Sequence, residues 1–167
     1  KEVREILSKA GIETTGSFVY GVDSTQTNID KLVAKPAVQE ADAIFGFGGG
    51  RALDTTKMVA KELDKPTFTF PTICSAGTAI AVVYKDDHSV LRYGYPNSPL
   101  HIFINTRVIA QAPSKYFWAG IGDGISKAPE VEHAVAEAKK KGLLELPHTA
   151  TLGHAVALSS KDAFYYY

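Results

Sequence analysis

The chain has 167 residues, 45% of them apolar and 22% charged, with lysine plus arginine and aspartate plus glutamate balanced at 18 each. Such a chain can bury roughly two-thirds of its unfolded surface in one globular domain, and its balanced charge gives no field to gather nucleic acid or anionic lipid. Cys74 is the lone cysteine and no run reaches the ~20 apolar residues of a bilayer span, which leaves out a disulfide framework, a cysteine-rich zinc site and a membrane helix and favours a cytoplasmic setting.

Val3, Ile6 and Leu7 recur at helical spacing and Gly11 follows as a stop, so the chain opens on a short helix. Residues 17–22 (SFVYGV) read as a buried strand. Residues 27–41 read as a helix interrupted near Pro36, with Ile29, Leu32, Val33 and Val38 as its apolar positions. A second strand is expected over 43–47 (AIFGF), a helix over 52–63 with Leu53, Met58, Val59 and Leu63 near one face, and a third strand over 67–70. Residues 79–84 (AIAVVY) and 101–105 (HIFIN) read as two strands flanking the polar DDHSVLRYGYPNSP, a pair suited to a hairpin-like excursion. From Pro113, which suits a first helical turn, the pattern is helical through the glycine-broken WAGIGDGISK to VEHAVAEAKKKG. Strands alternating with helices over the first hundred residues predict an α/β fold with a parallel, Rossmann-like sheet, followed by an all-helical region; the division falls as 1–111 and 112–167. The charged helical start and the uncapped AFYYY finish suggest part of a longer polypeptide.

The most informative stretch is AIFGFGGGRALDTTK, where a hydrophobic strand runs through Gly48, Gly49 and Gly50 directly into a helix. Glycines let the backbone approach a pyrophosphate, and free amides at a helix start face the anion with the dipole behind them. The usual dinucleotide fingerprint fails, because counting G-x-G-x-x-G from Gly46 puts Arg51 at the third glycine, and the P-loop pattern fails as well. Two readings stand on pattern alone: a phosphate cradle, or a tight strand-to-helix turn.

The full string narrows the choice. GGGRALDTTK, then PTICS at 71–75, then APSKYFWAGIGD at 112–123 closely resemble, in order and spacing, the glycerol dehydrogenase branch of the iron-containing alcohol dehydrogenase superfamily, over nearly all of 46–133. The resemblance implies an NAD-dependent, metal-dependent oxidoreductase acting on the CH–OH of a small polyol or alcohol such as glycerol, assembled as a homo-oligomer. It places the NAD pyrophosphate on Gly48, Gly49, Gly50 and Arg51 and puts Asp54 in a cofactor-contact position. Asp54 also has a plain reading, a carboxylate three positions into a helix facing its positive end. PTICS follows a strand at its carboxyl end, the ligand edge of an open α/β sheet, and offers the Thr72 and Ser75 hydroxyls with the backbone of Ile73 and Cys74; family contacts further on fall on Thr78, Ile80 and Tyr84 toward the ribose and nicotinamide. Cys74 otherwise reads as a small buried hydrophobe, and Lys57 as a packing or ion-pairing residue. Asp123 of GIGD falls on the first ligand of the family's divalent metal, zinc in preference to iron, which polarises the alcohol oxygen for hydride transfer to the nicotinamide; by itself it also reads as a surface carboxylate or a cap.

The match has gaps. The family takes two metal-binding histidines from a helical domain far beyond the aspartate, and His133, His148 and His154 lie outside those motifs and form no i, i+4 pair. After Ser75 the sequence AGTAIAVVY lacks the family's polar substrate residue and is about three residues short, and the family's first strand and its ribose-binding acidic residue would precede Lys1. Two alternatives follow: a nucleotide-binding module or inactive fragment, and a dehydroquinate synthase-like lyase, whose glycine motif continues differently from LDTTK. Phosphorylated polyols also enter as substrates, with Arg51 and Arg92 as the nearby cations.

Overall fold

A computed structural model describes residues 2–75, 82–94 and 96–142, the side chain of Glu2 excepted. The chain divides into two compact units, one running to Ile73 and resuming in the stretch that ends at Gln111, the other comprising the segment that starts at Cys74 and the region from Ala112 onward.

In the first unit, α1 (Glu2–Lys9) stops before Gly11, whose φ of +75° suits a helix terminus. The strand expected over 17–22 does not form. Its apolar side chains find no ladder to join, and Val19 and Val22 stand 85% and 87% exposed. Helix α2 (Gln26–Val33) is capped by the Thr25 side chain, which accepts from the Asn28 amide, and α3 (Pro36–Gln39) starts on its proline. The expected single helix is therefore two, because Pro36 has no N–H for a continuing helix and suits the first position of a new one.

Strand β1 (Ile44–Gly48) leads into α4 (Gly50–Glu62), and β2 (Thr67–Pro71) follows. The hairpin expectation is corrected. Strand β3 (Val82–Lys85) pairs antiparallel with β4 (Leu91–Gly94), which lies inside the stretch read as polar turn, whereas β5 (His101–Ile102) joins β2 in parallel. The tight turn at 86–90 is set by Asp86, whose carboxylate accepts from the His88 and Val90 amides and pairs with Arg92 at 2.8 Å. Residues 79–81 lie outside the described residues. A short helix, α5 (Thr106–Ala110), ends the unit, capped by Asn105 accepting from the Arg107 and Val108 amides.

The three-stranded sheet runs β1-β2-β5, all parallel, as the α/β reading expects. Strand periodicity divides its side chains cleanly. One face presents Gly46 and the buried Thr67 and Thr69, and α4 packs there with Thr56 against Gly46. The opposite face carries rings in cross-strand rows: Phe45, Phe68 and His101 in one, Phe47, Phe70 and Phe103 in the other, with the Phe47–Phe70 and Phe70–Phe103 centroids at 4.3 and 4.8 Å. The core lies on the α4 side, where Ile29, Val38, Met58, Val59 and Val82 cluster with Leu32, Ile44 and Tyr84 packed around them. Burying each such side chain stabilises by about 1.5–3 kcal/mol.

The second unit is described mainly through α6 (Ser114–Lys140), one helix of 27 residues. It passes through the glycines of WAGIGDGISK and through Pro129 without ending, and Pro113 sits at the N-cap, one position before the expected first turn. A helical glycine costs about 1 kcal/mol against alanine but keeps its backbone hydrogen bonds, so the alanine-, lysine- and glutamate-rich remainder carries the helix across.

Candidate nucleotide and metal site

Strands β1 and β2 end in register, with Phe47 opposite Phe70 and Gly48 opposite Pro71. The glycine turn and the start of PTICS therefore leave the carboxyl edge of the sheet side by side, the edge at which open parallel sheets bind ligands. The Thr72 amide donates to the Gly48 carbonyl at 3.0 Å and fastens the two exits together. Gly48 has φ +145°, a conformation that strains any residue with a Cβ, and a Cβ on Gly49 would stand 2.7 Å from Ile73 Cδ1. Gly48 is thus required by the turn itself, whereas the contact at Gly49 is with the far end of a flexible side chain.

Helix α4 starts at Gly50, two residues earlier than expected, with Gly49 as an N-cap that has no side-chain oxygen to offer. Its first backbone bond runs from the Leu53 amide to the Gly49 carbonyl at 3.1 Å. The amides of Gly50, Arg51 and Ala52 precede that bond, have no acidic residue in the first turn beside them, and carry the positive end of the dipole. A diphosphate fits this arrangement: its oxygens take hydrogen bonds from the amides, and no Cβ of the turn stands in the way.

The early helix start removes the dipole reading of Asp54, which lies beyond the first turn. Instead the carboxylate braces the fold. One oxygen lies 3.2 Å from the Lys57 Nζ and the other accepts from the Val83 amide at 3.3 Å, joining α4 to β3. Burial pushes the Asp54 carboxyl up and the Lys57 ammonium down, and the attraction between the two pulls each part of the way back. Lys57 is fully buried, in agreement with its reading as a packing and ion-pairing residue.

Arg51 is exposed and pairs through Nε with Asp23 at 3.3 Å. Tyr84 sits half-buried on β3 against the core. Thr72, Ile73 and Ser75 are half-buried, whereas Cys74 is exposed; the buried-hydrophobe reading of this cysteine is corrected, because it lies in the irregular segment past β2, where its backbone packs against Gly120 of α6 and its side chain is left to solvent. Thr78 and Ile80 lie outside the described residues. On α6, Asp123 projects its carboxylate 3.0 Å from the Lys127 Nζ, one turn on, at 35% exposure.

Residues 1–113 match the family model described as iron-containing alcohol dehydrogenase. The chain belongs to that family. Within this iron-containing alcohol dehydrogenase family its similarity runs to the glycerol dehydrogenase branch. It is 33% identical over 138 residues to glycerol dehydrogenase 1 of Schizosaccharomyces pombe, covering 80% of this chain and 30% of that protein. It is 31% identical over 140 residues to a glycolaldehyde reductase of Halobacterium salinarum, covering 81% and 38%. The crystal structure of glycerol dehydrogenase from Schizosaccharomyces pombe superposes with a TM-score of 0.67 at 30% identity, over 78% of this chain and 34% of that one. The chain thus spans about a third of the length of these relatives.

For a member of this family the two halves of the expected site stand differently. The structure brings Gly48, Gly49, Gly50, Thr72 and Ile73 together at one sheet edge. Around Asp123, by contrast, no group of three histidine, cysteine, aspartate or glutamate side chains suited to a metal ion exists among the described residues. His133 is exposed ten positions along the same helix, and His148 and His154 lie outside the described residues. The described residues alone do not fit a metal centre. Sequence reasoning also passed over Asp23 and Lys85, which pair at 2.6 Å across 62 positions; no local pattern signals a contact of that span. No helix among the described residues is long and apolar enough to cross a membrane.

Proposed function

We propose that this chain supplies the NAD-binding part of an NAD-dependent polyol or alcohol dehydrogenase, an oxidoreductase of the glycerol-to-dihydroxyacetone type. The observation that carries the reading is the turn at Gly48, Gly49 and Gly50, which ends β1 in register with β2 and opens α4 with uncapped amides. In this reading the amides of Gly50, Arg51 and Ala52 bind the diphosphate of NAD, and Thr72, Ile73, Cys74, Ser75 and Tyr84 are further cofactor contacts, together with Thr78 and Ile80, which lie outside the described residues. Bound NAD supplies the hydride acceptor. Asp54 acts indirectly, holding α4 against β3 so that the turn keeps its shape. Asp123 is the position proposed to take a divalent ion, zinc in preference to iron, when further ligands are present. No chemical step is assigned to the metal, because the described residues do not complete its shell. A cytoplasmic homo-oligomer acting on a small polyol is the setting this reading implies.

Titration of the chain with NADH, followed by nicotinamide fluorescence, tests the first part, and glycerol-dependent reduction of NAD in the presence of zinc tests the second. Binding with turnover supports the dehydrogenase. Binding without turnover supports the second reading, a nucleotide-binding module, which the isolated position of Asp123 favours. Absence of binding overturns both.

A further inference from the structure

The segment entering α2 carries a cluster that the nucleotide reading leaves unused. The Asp23 carboxylate lies 3.3 Å from the Arg51 Nε through Oδ1 and 2.6 Å from the Lys85 Nζ through Oδ2. It is held from behind by backbone ties: its Oδ1 accepts from the Ser24 amide at 3.0 Å, its carbonyl accepts from Asn28 Nδ2 at 2.9 Å, and the Lys85 amide donates to the Ser24 carbonyl at 2.9 Å. Ser24 is itself buried. The carboxylate is fixed, while the Arg51 side chain it grips is 67% exposed. An exposed pair of this kind adds little to stability, so stability is a weak reason for the arrangement.

Charge and geometry supply a stronger one. One carboxylate serves two cations, so the cluster carries an excess positive charge beside a helix start already suited to an anion. Arg51 approaches the carboxylate through Nε, and the two-nitrogen end of a guanidinium is the end matched to phosphate oxygens. We propose that Asp23 is a positioning residue that holds Arg51, with Lys85 as a second cation, for the diphosphate of the dinucleotide. The proposal rests on the nucleotide reading above and assigns two residues, Asp23 and Lys85, that the glycine motif does not contain.

The sign of one substitution separates this role from simple electrostatics. If Asp23 acted only as a nearby negative charge, Asp23→Asn would strengthen binding of an anionic cofactor. As a positioning residue, its removal weakens NADH binding by about three- to tenfold, the scale of one charge-assisted hydrogen bond lost to disorder. The test is an NADH titration of the full chain carrying Asp23→Asn, Arg51→Gln, both together, or Asp23→Glu, with circular dichroism to confirm folding. Expected are similar losses for the two single variants, a double variant whose loss is less than the product of the two because only the Lys85 contact remains to be lost, and a smaller loss, about twofold, for Asp23→Glu, which keeps the charge but shifts the guanidinium. A merely structural Asp23 would instead add its loss to that of Arg51→Gln. Unchanged or tighter binding by Asp23→Asn, or losses that multiply in the double variant, overturn the proposal. If Asp23→Asn does not fold, Asp23→Glu decides, and affinity equal to the wild type overturns it. Failure of the wild-type chain itself to bind NADH overturns the nucleotide reading and this inference with it, a result distinct from all the others.

Discussion

Two aspartate–lysine pairs of nearly equal length sit in opposite surroundings. Asp54 and Lys57 meet at 3.2 Å with the lysine fully buried; Asp123 and Lys127 meet at 3.0 Å with both side chains more than a third exposed. The first pair is taken out of water, so its partners' charges are shifted against their ordinary values and it joins α4 to β3. The second stays in water, where its lysine is held slightly more firmly protonated by Asp123 and by Glu130. The same chemical pair is a structural brace in one place and an exchangeable contact in the other.

Removing half of the buried pair gives the largest effect. Asp54→Ala is expected to destabilise the chain by about 3 kcal/mol, because the Lys57 ammonium loses a compensating charge inside the core. Adding Lys57→Met to a neutral replacement such as Asp54→Leu is expected to recover most of that loss, since a buried pair exchanged for apolar side chains costs little. Urea denaturation of the three proteins measures both, and equal stability of Asp54→Ala and wild type would remove the brace from the account.

The glycine turn comes next. Gly48→Ala places a Cβ at φ +145° and 2.8 Å from the Ala52 Cβ, so the turn has to move. Strain of this kind costs about 1–3 kcal/mol, and an NADH affinity lower by about tenfold or more is expected. If NADH titration gives wild-type affinity for Gly48→Ala, the diphosphate is not bound at this turn.

A smaller effect separates the aspartates by pH. The buried Asp54 carboxyl is raised from 3.8, so its contribution to stability is present below that value and is lost as pH rises through its folded value. Asp23, lowered from 3.8 chiefly by its hydrogen bond with Lys85, contributes stability above that value which is lost as pH falls through its folded value. In denaturation series from about pH 3 to pH 6, Asp54→Asn is expected to remove a decline toward neutral pH, and Asp23→Asn a decline toward acid. The opposite slopes would show that burial and pairing have been assigned to the wrong aspartates.

These contrasts also mark what was legible beforehand. The glycine turn was readable because strand, turn and helix are contiguous, and the chemistry of the site is in the backbone. The helix from Ser114 was readable, although its continuity was not, because glycine's helix penalty is modest and neighbouring residues outweigh it. The strand over 17–22 failed because apolar composition does not provide a ladder partner. The pairing of β5 with β2, and of β3 with β4, depended on which edges meet across the chain. The dipole alternative for Asp54 failed by two residues of helix boundary, enough to put a tertiary brace where a dipole contact was expected.

Asp123 provides the smallest expected effect and the sharpest separation of the two regions. Asp123→Asn removes one exposed helical ion pair and should lower stability by only a few tenths of a kcal/mol, about the worth of an i, i+4 pair. It should leave NADH affinity of the chain within about twofold of wild type, since no part of the diphosphate cradle involves this residue. Zinc is the discriminating probe. The Lys127 ammonium competes with a cation for the carboxylate, so if Asp123 takes zinc, Lys127→Ala raises zinc affinity and Asp123→Asn lowers it, both read by competition with a chromogenic chelator. A stability loss above about 1 kcal/mol for Asp123→Asn would make the residue a brace like Asp54. Zinc affinity indifferent to both substitutions would leave Asp123 as an ordinary surface carboxylate, and the proposed function would then rest, among the described residues, on the turn at Gly48, Gly49 and Gly50.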